Sequence, residues 1–452
     1  MPDPARPRET LSVVNAVAIV VGMVVGVGIF KTPSIVAASA ASEGMALLFW
    51  IAGGIASLIG ALCYAELMSA CPHAGGDYHY LNRAFGSVPA FLYAWARLSV
   101  IQTGSIAMVA FLIGDYASEI LRLGPFSSSI YAALTVILLT AVNAAGIRQG
   151  KWTQMILSAG IVSGLLLVSA VGILMAGAPA VIPEGTVIPG KQALGTAMIF
   201  VLLTYGGWNE ASFLSAEVRS GRLNLLKVLL YGIGTVTLIY LLINIALLKS
   251  IGLTDMAASG AVMTEMMRKV LGAKAGGFIT VLILLASAST MNAAIMTGAR
   301  TGYAMGQDNP VLGFIGKWQG QRHTPVNALL VQGGVALVLV ALGTGTPDGF
   351  VMMVEYTAPV FWLFFLMIGI SVFLMRLRHP DLSRPFRVPF YPLTPIAFCA
   401  ICTFMLYASL AFTGRGSWVG VCVLLSGIPL VILQKKRKAA DKIINKIERL
   451  QQ

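Results

Sequence analysis

Residues 22–33 read Gly22-Met23-Val24-Val25-Gly26-Val27-Gly28-Ile29-Phe30-Lys31-Thr32-Pro33. They lie inside an apolar stretch from about Leu11 to Ala40, and ~20 such residues suffice to cross a bilayer as a helix. Gly22, Gly26 and Gly28 fall at mid-depth, and each glycine costs a helix ~1 kcal/mol relative to alanine. A second interruption, Thr204-Tyr205-Gly206-Gly207-Trp208, falls at mid-depth of a later apolar run. Backbone groups freed inside a membrane are tolerated only around a polar cavity. Broken helices at corresponding places in two halves are expected of an inverted-repeat transporter. The competing reading is that Gly26, Gly28, Gly206 and Gly207 only let helices pack closely.

Composition makes the solvent lipid. Of 452 residues, 57% are apolar and 11% charged, against roughly a quarter charged in a soluble protein. The net charge of +13 would suit nucleic acid on a soluble basic face. Here the basic residues separate long apolar runs, so no nucleic-acid partner is expected; membrane lipids are. The reading is an all-α polytopic membrane protein with twelve spans, near 12–38, 45–70, 88–118, 128–146, 153–177, 192–217, 227–250, 275–305, 326–343, 351–375, 391–412 and 417–434. Barrel strands would alternate over ~10 residues instead. The connections 251–274 and 306–325 have room for a short helix each. Residues 1–434 form one transmembrane domain, with a first repeat over 12–177, a second over 192–375 and two further helices over 391–434. The first and sixth spans are broken at mid-membrane. A basic tail covers 435–452.

Lysine and arginine orient the chain. With the N-terminus inside, 21 of the 31 basic residues lie on the cytoplasmic side and 8 outside, leaving Arg97 and Arg300 within helices. Both termini are therefore expected in the cytoplasm, in a plasma or cell inner membrane. Residues Ile443, Ile444, Ile447 and Leu450 share a helical face amid basic neighbours, which suits either a helix on an anionic leaflet or a solvated tail.

Enzymatic readings fail for want of parts. The four histidines show no metal-ligand spacing, and neither a nucleophile elbow, a phosphate loop nor a dinucleotide fingerprint occurs. Cys399 and Cys402 form a C-x-x-C inside an apolar run, where two small lipid-embedded residues are the expected reading. No catalytic residue or resident cofactor is expected. The breaks instead select a ligand. A half-helix N-terminus attracts an anion, and freed carbonyls accept from an ammonium, so a zwitterionic α-amino acid supplies both ends. Glu66 and Asp77 read as acids that order the inner loop.

The stretch Ala65-Glu66-Leu67, continuing MSACPHAGGDYHYLNRAFG to Gly86, resembles the segment after the second helix of the amino acid–polyamine–organocation (APC) superfamily. The sequence is most similar to the L-type amino acid transporter branch. Gly26-Val27-Gly28-Ile29-Phe30 matches that family's G-S-G-I-F, and Tyr205-Gly206-Gly207-Trp208-Asn209 its Y-G-G-W-N. Glu217-Val218-Arg219, with Asn224, resembles the inner end of its sixth helix, and Arg384-Pro385-Phe386-Arg387-Val388-Pro389 the loop before its eleventh. The resemblance implies the five-plus-five inverted-repeat (LeuT-like) fold and alternating access. By position, it implies that the substrate carboxylate meets the N–H groups of Val27 and Gly28. The ammonium then meets carbonyls of Val24, Leu203, Thr204 and Gly206, with Gly26 in the break. Trp208 reads as an outer wall or gate of the site, with a packed core aromatic as the competing reading. Val27 stands where the family usually has Ser, and Leu203 where many relatives have an aromatic gate. The fifth helix (Thr153–Gly177) lacks the basic residue that many sodium-independent relatives carry.

By resemblance to sodium-coupled members of the fold, carbonyls of Gly22, Val25 and Ala286 with the hydroxyls of Ser289 and Thr290 would enclose Na⁺. The alternative is that these hydroxyls bond back to their own helix. Glu210 is the candidate proton site, because ionisable groups at depth are functional by default; the competing reading is a structural pair with Arg97 or Arg300. The first expectation is thus secondary transport of a small or medium neutral L-amino acid, with Na⁺ as coupling ion. Proton-coupled or exchange transport, and transport of cationic amino acids or polyamines, are the alternatives. A channel or a non-transporting sensor is the rival of another class. The oligomeric state stays open.

Overall fold

The computed structural model describes residues 13–73, 75–175, 191–214, 222–272, 275–309, 312–319, 324–346, 348–412 and 414–432. The expected tail over 435–452, the Glu217-Val218-Arg219 motif and the inner end of the sixth expected span lie outside those residues. Among the described residues the only pairing outside helices is an isolated bridge between Gln319 and Thr324.

The first expected span is two helices, α1 (Val13–Val24) and α2 (Gly28–Ser39), bent by 51° at the break. Helix α3 (Glu43–Ala70) starts where the Ser42 hydroxyl accepts from the Met45 N–H at 3.2 Å. A short amphipathic helix, α4 (Gly76–Phe85), leads into α5 (Ser87–Ala96). That helix passes through a π-turn at Arg97–Ile101 into α6 (Gln102–Ile120). Helices α7 (Ser127–Ala145) and α8 (Ile147–Met175) complete the first half. Helix α9 (Lys191–Thr204) stops at a turn, followed by the 3₁₀ segment Trp208–Glu210 and α10 (Ala211–Leu214). Next come α11 (Arg222–Ala258), kinked at Gly252, the short α12 (Val262–Leu271) and α13 (Ala275–Asp308). Helices α14 (Val326–Gly343), α15 (Gly349–Arg378), α16 (Leu393–Ala411) and α17 (Arg415–Leu425) follow.

Among the described residues, nine helices are long and apolar enough to span a membrane, or ten if the bent α1–α2 pair counts as one span. The two further expected spans, 153–177 and 192–217, fall on α8 and on α9 with its break. Only Ala159–Met175 of α8 is strongly apolar, and α9 is too short to cross alone. The expected short helix in 251–274 is α12; in 306–325 the described residues are the end of α13, a 3₁₀ residue at Leu312, turns over 313–316 and the bridge.

Lipid-facing and packed faces separate cleanly. On α7, Ile130, Leu134, Ile137 and Leu138 are exposed while Val136, Leu139, Thr140 and Asn143 are buried. Without a hydrophobic drive between helices in lipid, polar contacts and close packing hold them together. Asn143 Nδ2 donates to Asn292 Oδ1 at 2.8 Å, and Gln102 Nε2 to the Ala294 carbonyl at 2.8 Å, tying α7 and α6 to α13. The centre of the bundle is the α5–α6 span, whose apolar window is 89% buried against 28% for α7. Helices α7, α13 and α15 pack around it, and α11 packs on α1, α2 and α3. The two breaks therefore meet in the interior.

One end of the bundle is fastened by Glu66. Its carboxylate accepts from Arg376 Nε and Nη2 at 2.8 and 2.7 Å and from the Val388 N–H at 2.7 Å. Helix α3 is so joined to the end of α15 and the loop before α16, and Glu66 does order this end of the molecule. Cys399 and Cys402 are both free thiols.

Candidate functional site

Each break has a local cause. Helix α2 begins at Gly28 with Val27 before it, and no side chain caps that N-terminus. The first N–H groups of a helix have no partner within it, so those at Val27 and Gly28 face the space the bend opens. On the other break, Gly207 has φ +106°, a region that penalises any side chain. A Cβ there would also lie 2.8 Å from the Met23 carbonyl oxygen. Glycine at 207 is thus what lets the end of α9 approach the end of α1.

The two breaks are stitched together by hydroxyls. Tyr240, on α11, places its hydroxyl 2.9 Å from the Val24 carbonyl and 2.9 Å from the Thr204 carbonyl. The Gly26 N–H faces the same oxygen. A tyrosine hydroxyl has one proton, so it donates to one of the two carbonyls at a time. Thr32 on α2 and Thr204 on α9 share a hydroxyl hydrogen bond of 2.7 Å, and Thr204 Oγ1 also donates to the Phe200 carbonyl. The Leu203 carbonyl accepts from the Gly206 N–H at 2.9 Å.

Between the breaks lies a cavity of about 170 Å³. Val24, Gly26, Val27, Gly28, Leu203, Thr204 and Gly206 all line it. Trp208 does not: it lines a smaller adjoining cavity of about 20 Å³ with Gly206 and Phe365. It packs edge-on against Tyr64 and Phe365, with ring centroids 5.0 and 5.7 Å apart. Ile101, Met108, Ile199, Val354 and Phe361 give the main cavity an apolar side.

Two charged pairs adjoin the main cavity, one beyond the lining residue Phe350 and one on the wall itself. Beside Phe350, Lys31 Nζ sits 2.9 Å from Asp348 Oδ2 and 4.7 Å above the Phe350 ring. Burial favours the neutral Asp348 carboxyl, but Lys31 and the Val351 and Phe350 N–H groups outweigh it and hold the acid below its ordinary range. On the wall, Arg97 Nη2 donates to both Glu210 oxygens at 2.8 and 2.6 Å. Of the two bases considered for Glu210, the structure pairs it with Arg97. Asp77 lies beside them on the cavity wall, 2% exposed. Sequence reasoning assigned Asp77 to the loop and overlooked Tyr240 altogether.

Of the expected cation ligands, Thr290 lines the cavity. Its Oγ1 is buried without a hydrogen-bond partner and lies against Gly26, whose Cβ would sit 2.6 Å away. Ala286 and Ser289 are fully buried on α13 beside it, and Gly22 and Val25 belong to the end of α1 and the break. An orphaned buried hydroxyl beside a helix break is an oxygen ligand of the kind a hard cation takes.

A family model described as "Amino acid permease" matches residues 11–432. The chain is 28% identical over 432 residues to the b(0,+)-type amino acid transporter 1 of Mus musculus, covering 93% of the chain and 87% of the relative. It is 28% identical over 455 residues to the large neutral amino acids transporter small subunit 2 of Mus musculus, covering 97% and 84%. The Asc-type amino acid transporter 1 of Mus musculus is 26% identical over 450 residues, covering 97% and 83%.

Proposed function

The chain belongs to the amino acid permease family, and from that premise we propose that it carries small or medium neutral L-amino acids across the plasma membrane by alternating access, with both termini in the cytoplasm. The observation that carries this reading is that an uncapped helix N-terminus and the residues of a second helix end, Leu203, Thr204 and Gly206, line one cavity. The N–H groups of Val27 and Gly28 receive the substrate carboxylate, where the helix dipole contributes about 0.3–1 kcal/mol, more when partly buried. The Gly206 and Leu203 carbonyls, and whichever of Val24 and Thr204 the Tyr240 hydroxyl leaves free, receive the ammonium.

A neutral side chain fits the charges on the cavity wall. Glu210 is matched by Arg97, and Asp77 is surrounded by hydroxyl donors, so neither offers a free carboxylate to a lysine- or polyamine-like cation. The apolar side near Ile101, Met108 and Phe361 takes the substrate side chain. Alternation then means opening one charged end while the other stays closed. The Lys31–Asp348 pair and the Arg97–Glu210 pair are the two closures, with the Arg97 end cytoplasmic.

Thr290 supports a coupling ion as a second element of this reading. We assign Na⁺ to the carbonyls of Gly22, Val25 and Ala286 and the hydroxyls of Ser289 and Thr290; its chemistry there is to pull the end of α1 against α13. The testing experiment is counterflow of a panel of labelled amino acids in proteoliposomes, in sodium and in choline buffers. Exchange of neutral amino acids that is faster in sodium is expected. Failure of every amino acid to exchange overturns the transport reading, and equal rates in the two buffers overturn the sodium assignment.

A further inference from the structure

Asp77 is the one acid of the cavity wall that the transport reading leaves without a role. It stands on the first turn of α4, outside the spanning helices, yet is buried by residues from three others. Its Oδ2 accepts from the Tyr64 hydroxyl on α3 and the Tyr93 hydroxyl on α5, each at 3.1 Å. Its Oδ1 accepts from the Ser212 hydroxyl on α10 at 3.2 Å. Tyr93 is in turn 3.2 Å from Arg97 Nη1, and Arg97 holds Glu210. The group thus links α3, α4, the α5–α6 span and the segment after the α9 break, with the cavity at its edge.

The charges in this cluster do not cancel. Asp77 and Glu210 supply two negative charges and Arg97 one positive. Among the described hydrogen bonds and ion pairs of the cluster, Arg97 is the one base. Helix α15, packed against α4, turns Phe364 to Tyr93 and Phe365 to Tyr64. Its charged end is engaged elsewhere, Arg376 with Glu66 and Arg378 with the Ala84 carbonyl. On α4 itself, His79 stacks on His73, and burial with the neighbouring His73 and Arg83 charges lowers its pKa to about 4. Arg83 donates to the Cys71 sulfur. Among these three residues, ionised Asp77 is thus the second acid for one base at the edge of the substrate cavity.

We propose that Asp77 binds and releases one proton in each transport cycle, so that the amino acid moves together with a proton. The inference rests on the amino acid transport reading above and is independent of the sodium site. A buried group carrying net charge resists transfer into a drier surrounding. With a proton on Asp77 the cluster is neutral and the Arg97 end can close over substrate. The ionised carboxylate is favoured when that end opens to water, and the proton leaves to the side that water comes from. Burial pushes the Asp77 carboxyl up to about 6; Arg97 opposes the rise, Glu210 adds to it, and the Tyr93 and Tyr64 hydroxyls oppose it. The group therefore changes charge within a physiological range.

The test uses the full-length protein in proteoliposomes with equal Na⁺ on both sides and the membrane potential held at zero with valinomycin and potassium. One proton per substrate gives about tenfold accumulation per pH unit. The wild type is expected to accumulate a neutral amino acid down an imposed proton gradient. Asp77→Asn is expected to lose that accumulation. Tyr64→Phe removes one donor to the ionised carboxylate, so the midpoint of the pH–rate profile is expected to move to higher pH. Counterflow by the wild type in the same vesicles reports transport itself: without it the transport reading fails. Counterflow with no gradient-driven accumulation, Asp77→Asn accumulating as the wild type does, or an unmoved midpoint in Tyr64→Phe each overturns the proton inference.

Discussion

The contact between the two breaks can be tested at one atom. Gly28 opens α2, and a Cβ there would sit 2.5 Å from Thr204 Oγ1 and 2.9 Å from both its Cβ and Cγ2. Real Cβ atoms do not approach so closely, so Gly28→Ala must push α2 and α9 apart. Overpacking of this kind costs about 1–3 kcal/mol. The displaced Thr204 also loses its 2.7 Å bond to Thr32, worth about 0.5–1.5 kcal/mol. Together these come to about 1.5–4.5 kcal/mol of strain between the breaks; the share borne by the substrate-bound state lowers transport efficiency, by up to roughly 1,000-fold at about 1.4 kcal/mol per decade. The assay is kcat/KM for counterflow in proteoliposomes, with a melting curve to show that the protein is folded. Thr204→Ala removes Oγ1 and Cγ2, the atoms that crowd the new methyl group. In a double-mutant cycle, Gly28→Ala with Thr204→Ala is therefore expected to transport about tenfold better than the product of the single effects. Wild-type efficiency in Gly28→Ala, or strict additivity in the pair, would refute the reasoning that these two residues set the spacing of the breaks.

Four further outcomes follow from the geometry. Gly207→Ala, at φ +106° and 2.8 Å from the Met23 oxygen, is expected to cost at least ~1–2 kcal/mol from backbone strain alone, read as a lower melting temperature and slower counterflow. Glu210→Gln takes from Arg97 the carboxylate that accepts its Nη2 donors at 2.8 and 2.6 Å, leaving Asp77 as the acid beside it; a loss of about 1.5–3 kcal/mol is expected, read by denaturation. Thr290→Val is expected to raise the Na⁺ concentration for half-maximal counterflow by tenfold or more, with a smaller change in amino acid KM at saturating Na⁺. The fourth concerns pH and stability. Asp77 has its folded pKa raised to about 6, mainly by burial, so the folded state binds the proton more tightly than the unfolded chain. Its contribution is fully present below the unfolded pKa near ~4 and is lost as pH rises through about 6. The wild type should therefore gain melting temperature relative to Asp77→Asn between pH 7 and pH 5; parallel curves would contradict the assignment.

What sequence could and could not reveal has physical reasons. A lipid-solvated helix must be apolar over its length, so α3, α7, α11 and α13 to α16 were legible from composition alone. The breaks were legible because only glycine tolerates the backbone at Gly207 and the close approach at Gly28. Val24, Gly26, Val27, Gly28, Leu203, Thr204 and Gly206, which the family resemblance pointed to by position, all line the cavity between the breaks. The sixth span was harder, because α9 ends at Thr204 and the apolar run through the break cannot show where the helix stops. Tyr240 gave no local signal: it is one aromatic in an apolar run, and its role comes from the carbonyls of Val24 and Thr204, distant in sequence. Asp77 sits in a polar loop segment, and its burial is made by Tyr64, Tyr93 and Ser212 from other helices. Of the two readings of Trp208, the structure shows the packed aromatic, set against Tyr64 and Phe365 behind the cavity. Pattern reports depth and period; it does not report which way a side chain turns once the helix is broken.

The central claim is that backbone groups at two helix breaks recognise both ends of a zwitterion. The measurement that reaches it most directly is inhibition of counterflow of a neutral L-amino acid by three analogues of the same side chain. These are the intact amino acid, its amide without the carboxylate, and its N-acetyl derivative without the ammonium. Competition by the intact amino acid alone is the predicted result, with each analogue weaker by at least ~100-fold, because each leaves buried donors or acceptors unmatched at about 1–3 kcal/mol apiece and removes a charge as well. Equal competition by the amide or the N-acetyl compound would contradict the account.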